Sequence, residues 1–314
     1  MPIDALFLGG SSIDIIGDYE SVGGSVTNSA VISAKLGLKT ALLSRIGKDD
    51  FGNFAIDYLR RSKIDTKGVI QDSDIHTPVA IAKINESGVA KYKFYKNAPK
   101  DSVVPLKTAP RHLLNTCKAF HTGSSYSYQK ETFEETLKFI KYLKKKNVFI
   151  SYDPNIRPYS IKNKKEVKNR VLTLLKLADL AKLSEIDLEY LTGKKSPLKG
   201  METLKKQVNC EIVLTLGSKG SAYMSLRGTK CRSNLIKIPA FKVKIADTIG
   251  AGDGFTAGLI YKLIEQGRGR FFANMKANMT FASAISALIC TKKGSHQGLK
   301  NLKQVNSFLS DYSP

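Results

Sequence analysis

The sequence predicts an α/β fold in which a doubly wound, mostly parallel sheet carries a smaller sheet beside it. Three observations lead there. From residue 5 onward, short apolar runs alternate with amphipathic stretches of helical period, the pattern of βα units whose strands are covered on both faces. Several of these runs end at glycine-rich or polar turns, and ligands of doubly wound sheets bind beyond the C-terminal strand ends. Residues 77–95 break the rhythm with two alternating runs around a short turn, which calls for a separate small sheet.

Taken in order, residues 5–8 form the first buried strand and residues 9–12 turn at its C-terminal end. Asp14 stands among Ile13, Ile15 and Ile16, where an unpaired carboxylate is costly to bury. It therefore faces a wet cleft or has partners, the alternative being a plain turn residue. A second glycine-rich turn, residues 22–28, opens a helix over 28–36 that Gly37 ends. A strand over 40–46 and a helix over 50–62 follow. Residues 77–84 and 91–95 alternate as hairpin strands around 85–88 and are read as a flap that keeps water from a cleft.

The rhythm resumes with a strand over 118–121, an amphipathic helix over 130–145 and a buried strand over 148–152. That strand runs into Asp153-Pro154-Asn155-Ile156-Arg157-Pro158, which is either a stiff turn or a place where Arg157 grips a substrate oxygen or phosphate in a forked contact. A strand over 179–183 leads to Ser184, the expected cap of a helix over 185–191 that Gly193 terminates. Residues 211–216 form another buried strand, followed by Gly217-Ser218-Lys219-Gly220 and a return strand over 221–225.

The last glycine turn concentrates the chemistry. Phe241, Val243 and Ile245 alternate with Lys242 and Lys244, the period of a half-buried strand. A helix is expected from about Ala251, with Phe255, Leu259, Ile260, Leu263 and Ile264 on its buried face. Gly250 and Gly252 permit a sharp turn between the two and leave amides uncovered. The first amides of a helix lack internal partners and carry the positive end of its dipole, so this turn suits an anion. Asp253 beside it is then a base next to a phosphate, or else only a favourable cap. Residues 277–291, bounded by Lys276 and Lys292, read as a buried helix.

A chain of 314 residues can bury a large core, either as one α/β domain with an appendage or as two domains, and 42% hydrophobic residues is ordinary for a globular protein. No uncharged apolar run reaches the ~18 to 20 residues of a membrane helix, and the first residues show no basic segment or cleavage-type site, so a cytoplasmic protein is expected. Cys117, Cys210, Cys231 and Cys290 form no CxxC pair, and His76, His112, His121 and His296 are as scattered, which argues against a zinc centre or disulfide framework. The Walker pattern is missing. A formal charge of +23 admits a polyanionic partner. The lysines spread over polar helix faces with no nucleic-acid motif, so a solvated surface is preferred over one that binds nucleic acid.

Residues 247–258, Asp-Thr-Ile-Gly-Ala-Gly-Asp-Gly-Phe-Thr-Ala-Gly, resemble the C-terminal signature of the ribokinase family of sugar kinases, the PfkB group. Gly23-Gly24-Ser25-Val26-Thr27-Asn28 resembles its N-terminal signature, and Asp14, residues 153–158 and Leu216-Gly217 with Gly220 fall in the family's order. The likeness spans essentially the whole chain and is nearest to fructokinase-like members. It implies a three-layer ribokinase-like domain over 1–314 with a discontinuous β lid drawn roughly from 11–22 and 67–104. It also implies transfer of the γ-phosphoryl group of ATP to a sugar hydroxyl, with a ketohexose such as fructose the first candidate. A nucleoside or 2-keto-3-deoxygluconate kinase is the rival, and a catalytically idle sugar-sensing or nucleic-acid-binding protein is the reading from another class.

By the same resemblance Asp253 takes the hydroxyl proton, while the amides of Gly250, Ala251 and Gly252 stabilise the transferred group. Asp14, Gly24, Asn28 and Arg157 hold the sugar, and Ser184, Leu216, Gly217 and Gly220 line the ATP site. Asp247 and Thr248 correspond to a loop that binds a monovalent cation such as K+ in many members. Where many members carry Asn-x-x-Glu to organise Mg2+, this chain has Ser184-Glu185-Ile186-Asp187. Asp187 is thus either an acid on the magnesium side or, with Ser184, part of a helix cap. A homodimer through the lid is expected because a sheet edge needs cover.

Overall fold

The computed structural model describes residues 2–16, 19–84, 90–95, 99–224 and 235–312. The chain starts with β1 (Ala5–Leu8), the antiparallel pair β2 (Ser12–Ile16) and β3 (Tyr19–Gly23), α1 (Ser25–Lys35), β4 (Thr40–Gly47), α2 (Asp50–Arg61) and β5 (Ile64–Asp72). Next come β6 (Val79–Ile84), β7 (Ala90–Tyr95), α3 (Arg111–Thr116), β8 (Ala119–Gly123), α4 (Lys130–Lys144), β9 (Phe149–Asp153) and α5 (Lys164–Leu177). The last part holds β10 (Leu180–Ser184), α6 (Glu185–Thr192), α7 (Pro197–Lys205), β11 (Glu211–Thr215), β12 (Ser221–Met224), β13 (Leu235–Ile238), α8 (Ala251–Ala273), α9 (Met275–Cys290) and α10 (Leu302–Asp311).

Among the described residues the large sheet has the order β13-β12-β11-β10-β9-β8-β1-β4-β5. From β11 to β5 the neighbours run parallel, and β12 and β13 close one edge antiparallel. The chain moves from β1 to β4 and β5 on one side and returns to β8 on the other. A topological switch point therefore lies between β1 and β8, where doubly wound sheets bind ligands. Both faces are covered: Leu6 and Leu8 share a core with Phe139 of α4, Leu174 of α5 and Leu188 of α6, while Ala5 and Phe7 pack with Val31 of α1, Ile56 of α2 and Phe255 of α8. This two-sided burial is why β1 is apolar throughout. The doubly wound architecture read from the sequence is the one observed.

The smaller sheet has the order β3-β2-β6-β7, with β2 and β6 parallel and the outer pairs antiparallel. Residues 64–72 pair with β4 in the large sheet. The expected turn at 85–88 lies outside the described residues.

One strand expectation is corrected. Residues 241–245 pair with no strand among the described residues; Phe241 and Val243 are half-buried, but Ile245 is exposed like Lys242 and Lys244. Phe241 turns instead onto α10, with its ring centroid 5.2 Å from that of Phe308, and the segment meets α9 through Ala246 N donating to Cys290 O at 2.8 Å. The apolar alternation read from the sequence is thus not that of a strand, and its one aromatic, Phe241, is held by a helix.

Candidate active site

The first turn of α8 and that of α1 meet beyond the C-terminal ends of β9 and β10. Gly250 precedes α8 with a left-handed φ of 77°, and a Cβ there would sit 1.9 Å from the Ser295 carbonyl oxygen. A residue with a side chain is excluded on both counts. Among the described residues the amides of Gly250, Gly252 and Asp253 have no hydrogen-bond partner, while Ala251 N reaches Thr248 O at 3.3 Å. These are the free donors expected where a helix begins. Gly252 lies inside the helix; its missing side chain leaves room for the Lys182 ammonium, 3.1 Å from where a Cβ would stand.

Asp253 is buried, and both its oxygens accept hydrogen bonds from α1: Ser25 Oγ donates to Oδ1 at 2.6 Å and Asn28 Nδ2 to Oδ2 at 2.8 Å. Burial pushes its pKa up, and the charge of Asp153 adds to this, against those two donors and the charge of Lys182. Ser25 Oγ also accepts from Asn155 Nδ2 at 3.0 Å, which joins the exit of β9 to the same cluster.

Lys182, on β10, is 7% exposed and pairs with Asp153, 2% exposed, at 2.7 Å. Burial opposes its charge, but Asp153, Asp187 and Asp253 outweigh it and hold the ammonium above its ordinary range. A buried cation thus stands behind the unpaired amides at the start of α8.

Asp14, on β2, is buried and accepts from Ser12 Oγ at 3.0 Å. Burial raises its pKa to about 6, the negative charge of Asp253 adding to the effect. A Cβ on Gly23 would land 2.0 Å from the Asp14 carboxylate, so this glycine makes room for the acid on the neighbouring strand. Gly24, at φ 99°, lets α1 start against the Gly10 carbonyl, 2.3 Å from a would-be Cβ.

The remaining residues singled out in the sequence sit around this cluster. Arg157 is exposed, beyond the end of β9, and forms no ion pair among the described residues. Leu216, Gly217 and Gly220 make the tight turn after β11, closed by Leu216 N donating to Gly220 O at 2.7 Å; the turn lies at the C-terminal end of the parallel strands but does not join the hydrogen bonds around Asp253. Ser184 and Asp187 form a reciprocal capping box on α6, and the other Asp187 oxygen accepts from Ile156 N at 2.6 Å. Asp247 is fully buried, with Ile249 N and Gly294 N donating to its oxygens at 2.9 and 2.8 Å, while Thr248 is exposed.

The sequence reading did not assign Ser25, Asp153, Asn155 or Lys182. A lysine within the apolar run of a buried strand was the available signal, since such a cation persists only with a partner.

The family model for pfkB family carbohydrate kinases matches residues 18–302. A probable fructokinase-3 of Arabidopsis thaliana is 28% identical over 297 residues, covering 94% of this chain and 84% of that protein. Fructokinase-1 of Zea mays is 28% identical over 285 residues, covering 90% and 86%. The crystal structure of fructokinase from Vibrio cholerae O395 in its fructose, ADP and calcium ion bound form has a TM-score of 0.85 at 26% identity, covering 98% of this chain and 99% of that one.

Proposed function

Because the chain belongs to the pfkB family of carbohydrate kinases, we propose that it transfers the terminal phosphoryl group of ATP to a hydroxyl of a ketohexose such as fructose. The observation that carries this reading is Asp253, buried at the start of α8 with both oxygens held by α1 and free amides beside it. The Asp253 carboxylate takes the hydroxyl proton, the sugar oxygen forms the new bond to phosphorus, and the bond to the leaving ADP oxygen breaks. Phosphoryl transfer needs positioning and oriented positive charge more than covalent help. The amides of Gly250, Ala251 and Gly252 supply oriented dipoles, and Lys182 supplies a fixed charge behind them. Asp14, Gly24, Asn28 and Arg157 hold the sugar; Ser184, Leu216, Gly217 and Gly220 border the nucleotide.

The residues present suit a divalent cation carried in on the triphosphate. Asp153, Asp187 and Asp253 are three buried carboxylates against the one ammonium of Lys182, a surplus of negative charge. Mg2+ commonly keeps several waters and takes its other ligands from substrate phosphates, so it needs no dedicated cage here. Both Asp187 oxygens are already engaged by protein donors, which favours its role as a fastener over a metal ligand. A monovalent cation such as K+ is proposed at the loop of Asp247 and Thr248, which the Asp247 carboxylate fastens to Gly294. Pairing of two copies along the small sheet is part of the same reading, since β3 and β7 are its outer strands.

An ADP-release assay over fructose, ribose, 2-keto-3-deoxygluconate, adenosine and inosine tests the proposal. Fructose should give the highest kcat/KM. A clear preference for a nucleoside or for the keto-sugar acid would replace the substrate, and no turnover on any of them would sink the kinase reading. Asp253→Asn should cut kcat at least ~100-fold with ATP binding kept, because general-base contributions run from about 10²- to 10⁴-fold.

A further inference from the structure

Asp253 is one end of a series of buried hydrogen bonds that the proposed reaction leaves unused. The series runs from Tyr58 on α2, through His296 and Ser295 in the loop after α9, to Asn28 on α1 and Asp253 on α8. The Tyr58 hydroxyl lies against His296 Nε2, the two rings meeting edge to face with centroids 5.6 Å apart. His296 Nδ1 and Ser295 Oγ are 2.9 Å apart, Ser295 Oγ and Asn28 Oδ1 3.0 Å, and Asn28 Nδ2 and Asp253 Oδ2 2.8 Å. His296 is 0% exposed and Ser295 2%.

The direction of every bond follows from the acid end. An ionised carboxylate only accepts, so Asn28 turns its amide nitrogen toward Asp253 and its oxygen toward Ser295. That oxygen also only accepts, and Ser295 has a single hydroxyl proton, which it must give to Asn28. Ser295 Oγ is then left to accept from His296, so Nδ1 carries the ring proton. Burial and the ammonium of Lys35, which donates to His296 O at 2.7 Å and Leu299 O at 3.0 Å, keep this ring neutral by pushing its pKa down to about 3. Nε2 is therefore an acceptor, and Tyr58 donates to it. Ser21 Oγ on β3, 3.5 Å from the same nitrogen, is the more distant polar neighbour.

We propose that Tyr58, His296 and Ser295 are positioning residues that fix the Asn28 amide with its NH2 toward the base. The inference rests on Asp253 being that base. The series transmits orientation and not a proton, because the amide nitrogen of Asn28 has no basic lone pair. With the amide reversed, its oxygen would face the Asp253 carboxylate, acceptor against acceptor, in a place closed to water.

The test uses the full-length protein labelled with 15N at histidine. His296 should appear as a neutral ring protonated at Nδ1, the less common tautomer in water; a ring protonated at Nε2, or a cationic ring at neutral pH, overturns the proposal. Ser295→Ala and Tyr58→Phe should each lower kcat about fivefold with KM for ATP within about twofold, since one buried hydrogen bond is worth roughly 1 kcal/mol. Wild-type kcat in a folded Ser295→Ala protein overturns it too, and Tyr58→Phe serves if the serine variant does not fold. The tautomer is read from the ring without turnover. Inactivity on every sugar would thus count against Asp253 as base while the ring signal still decides the hydrogen-bond directions.

Discussion

Asp14 is a buried acid whose raised pKa makes its proposed role in sugar binding testable by pH. Its pKa stands at about 6 in the folded protein against 3.8 for a free carboxyl. Between these values the folded chain holds a proton that the unfolded chain has released. The stability this group contributes is therefore fully present at low pH and declines as pH rises from about 4 to about 6. Sugar binding should move the opposite way, because only the ionised acid accepts from two hydroxyls at once. KM for the sugar is expected to fall as pH is raised from about 5 to about 7, and Asp14→Asn should flatten that dependence. An unchanged slope in the variant would remove Asp14 from the sugar site. The isoleucines around this residue made its environment legible from sequence, since they said that a carboxylate there needs a reason. Ser25 gave no such signal, because a serine after two glycines is ordinary helix-start chemistry until the fold brings Asp253 against it.

At the scale of elements, legibility followed burial. The helix expected from about Ala251 begins there, and β1, β4 and β9 lie within a residue or so of their expected bounds, because two-sided burial writes an uninterrupted apolar run into each. β5 was not foreseen: it is the edge strand of the large sheet, with Asp65 and Thr66 half-buried and Lys67 exposed where no outer neighbour demands apolar residues. β2 was reached through the family resemblance, as part of a β lid over 11–22, and not through its own strand period, which Asp14 masks. The segment 241–245 failed in the other direction: Phe241 is held by Phe308 and Tyr312 at the C-terminal helix, and Ile245 is exposed, so no neighbouring strand lies behind the apolar spacing. The two readings of Ser184 can now be separated by experiment. As a cap, Ser184→Ala should cost about 1 kcal/mol of unfolding free energy in a denaturant titration. The same variant should keep the dependence of rate on Mg2+ concentration. A stable variant with a markedly raised Mg2+ requirement would return Ser184 and Asp187 to the metal.

At the scale of the whole molecule, the formal charge of +23 is carried in part by lysines on the surface, Lys182 being the buried exception within the site. Lys141, Lys144, Lys164, Lys165, Lys194 and Lys195 are exposed on or beside helices of the layer that covers Leu6 and Leu8. Others stand nearer the proposed nucleotide: Lys219, 77% exposed, belongs to the turn after β11, and Lys293 is close enough for its charge to stabilise the Asp247 carboxylate. A field of one sign over a cleft raises the local concentration of an oppositely charged ligand. It acts across solvent and is therefore screened, with a Debye length of about 10 Å at 0.1 M salt. The prediction is specific to the charged substrate. Raising NaCl from about 20 to about 200 mM should increase KM for ATP several-fold and leave KM for a neutral ketohexose nearly unchanged. The control replaces NaCl with a neutral osmolyte at equal osmolality, which should move neither constant. If KM for ATP does not respond to salt, the lysines near the cleft play no part in nucleotide capture. If both constants rise together, the salt is acting on the folded protein as a whole and not on the encounter with a polyanion.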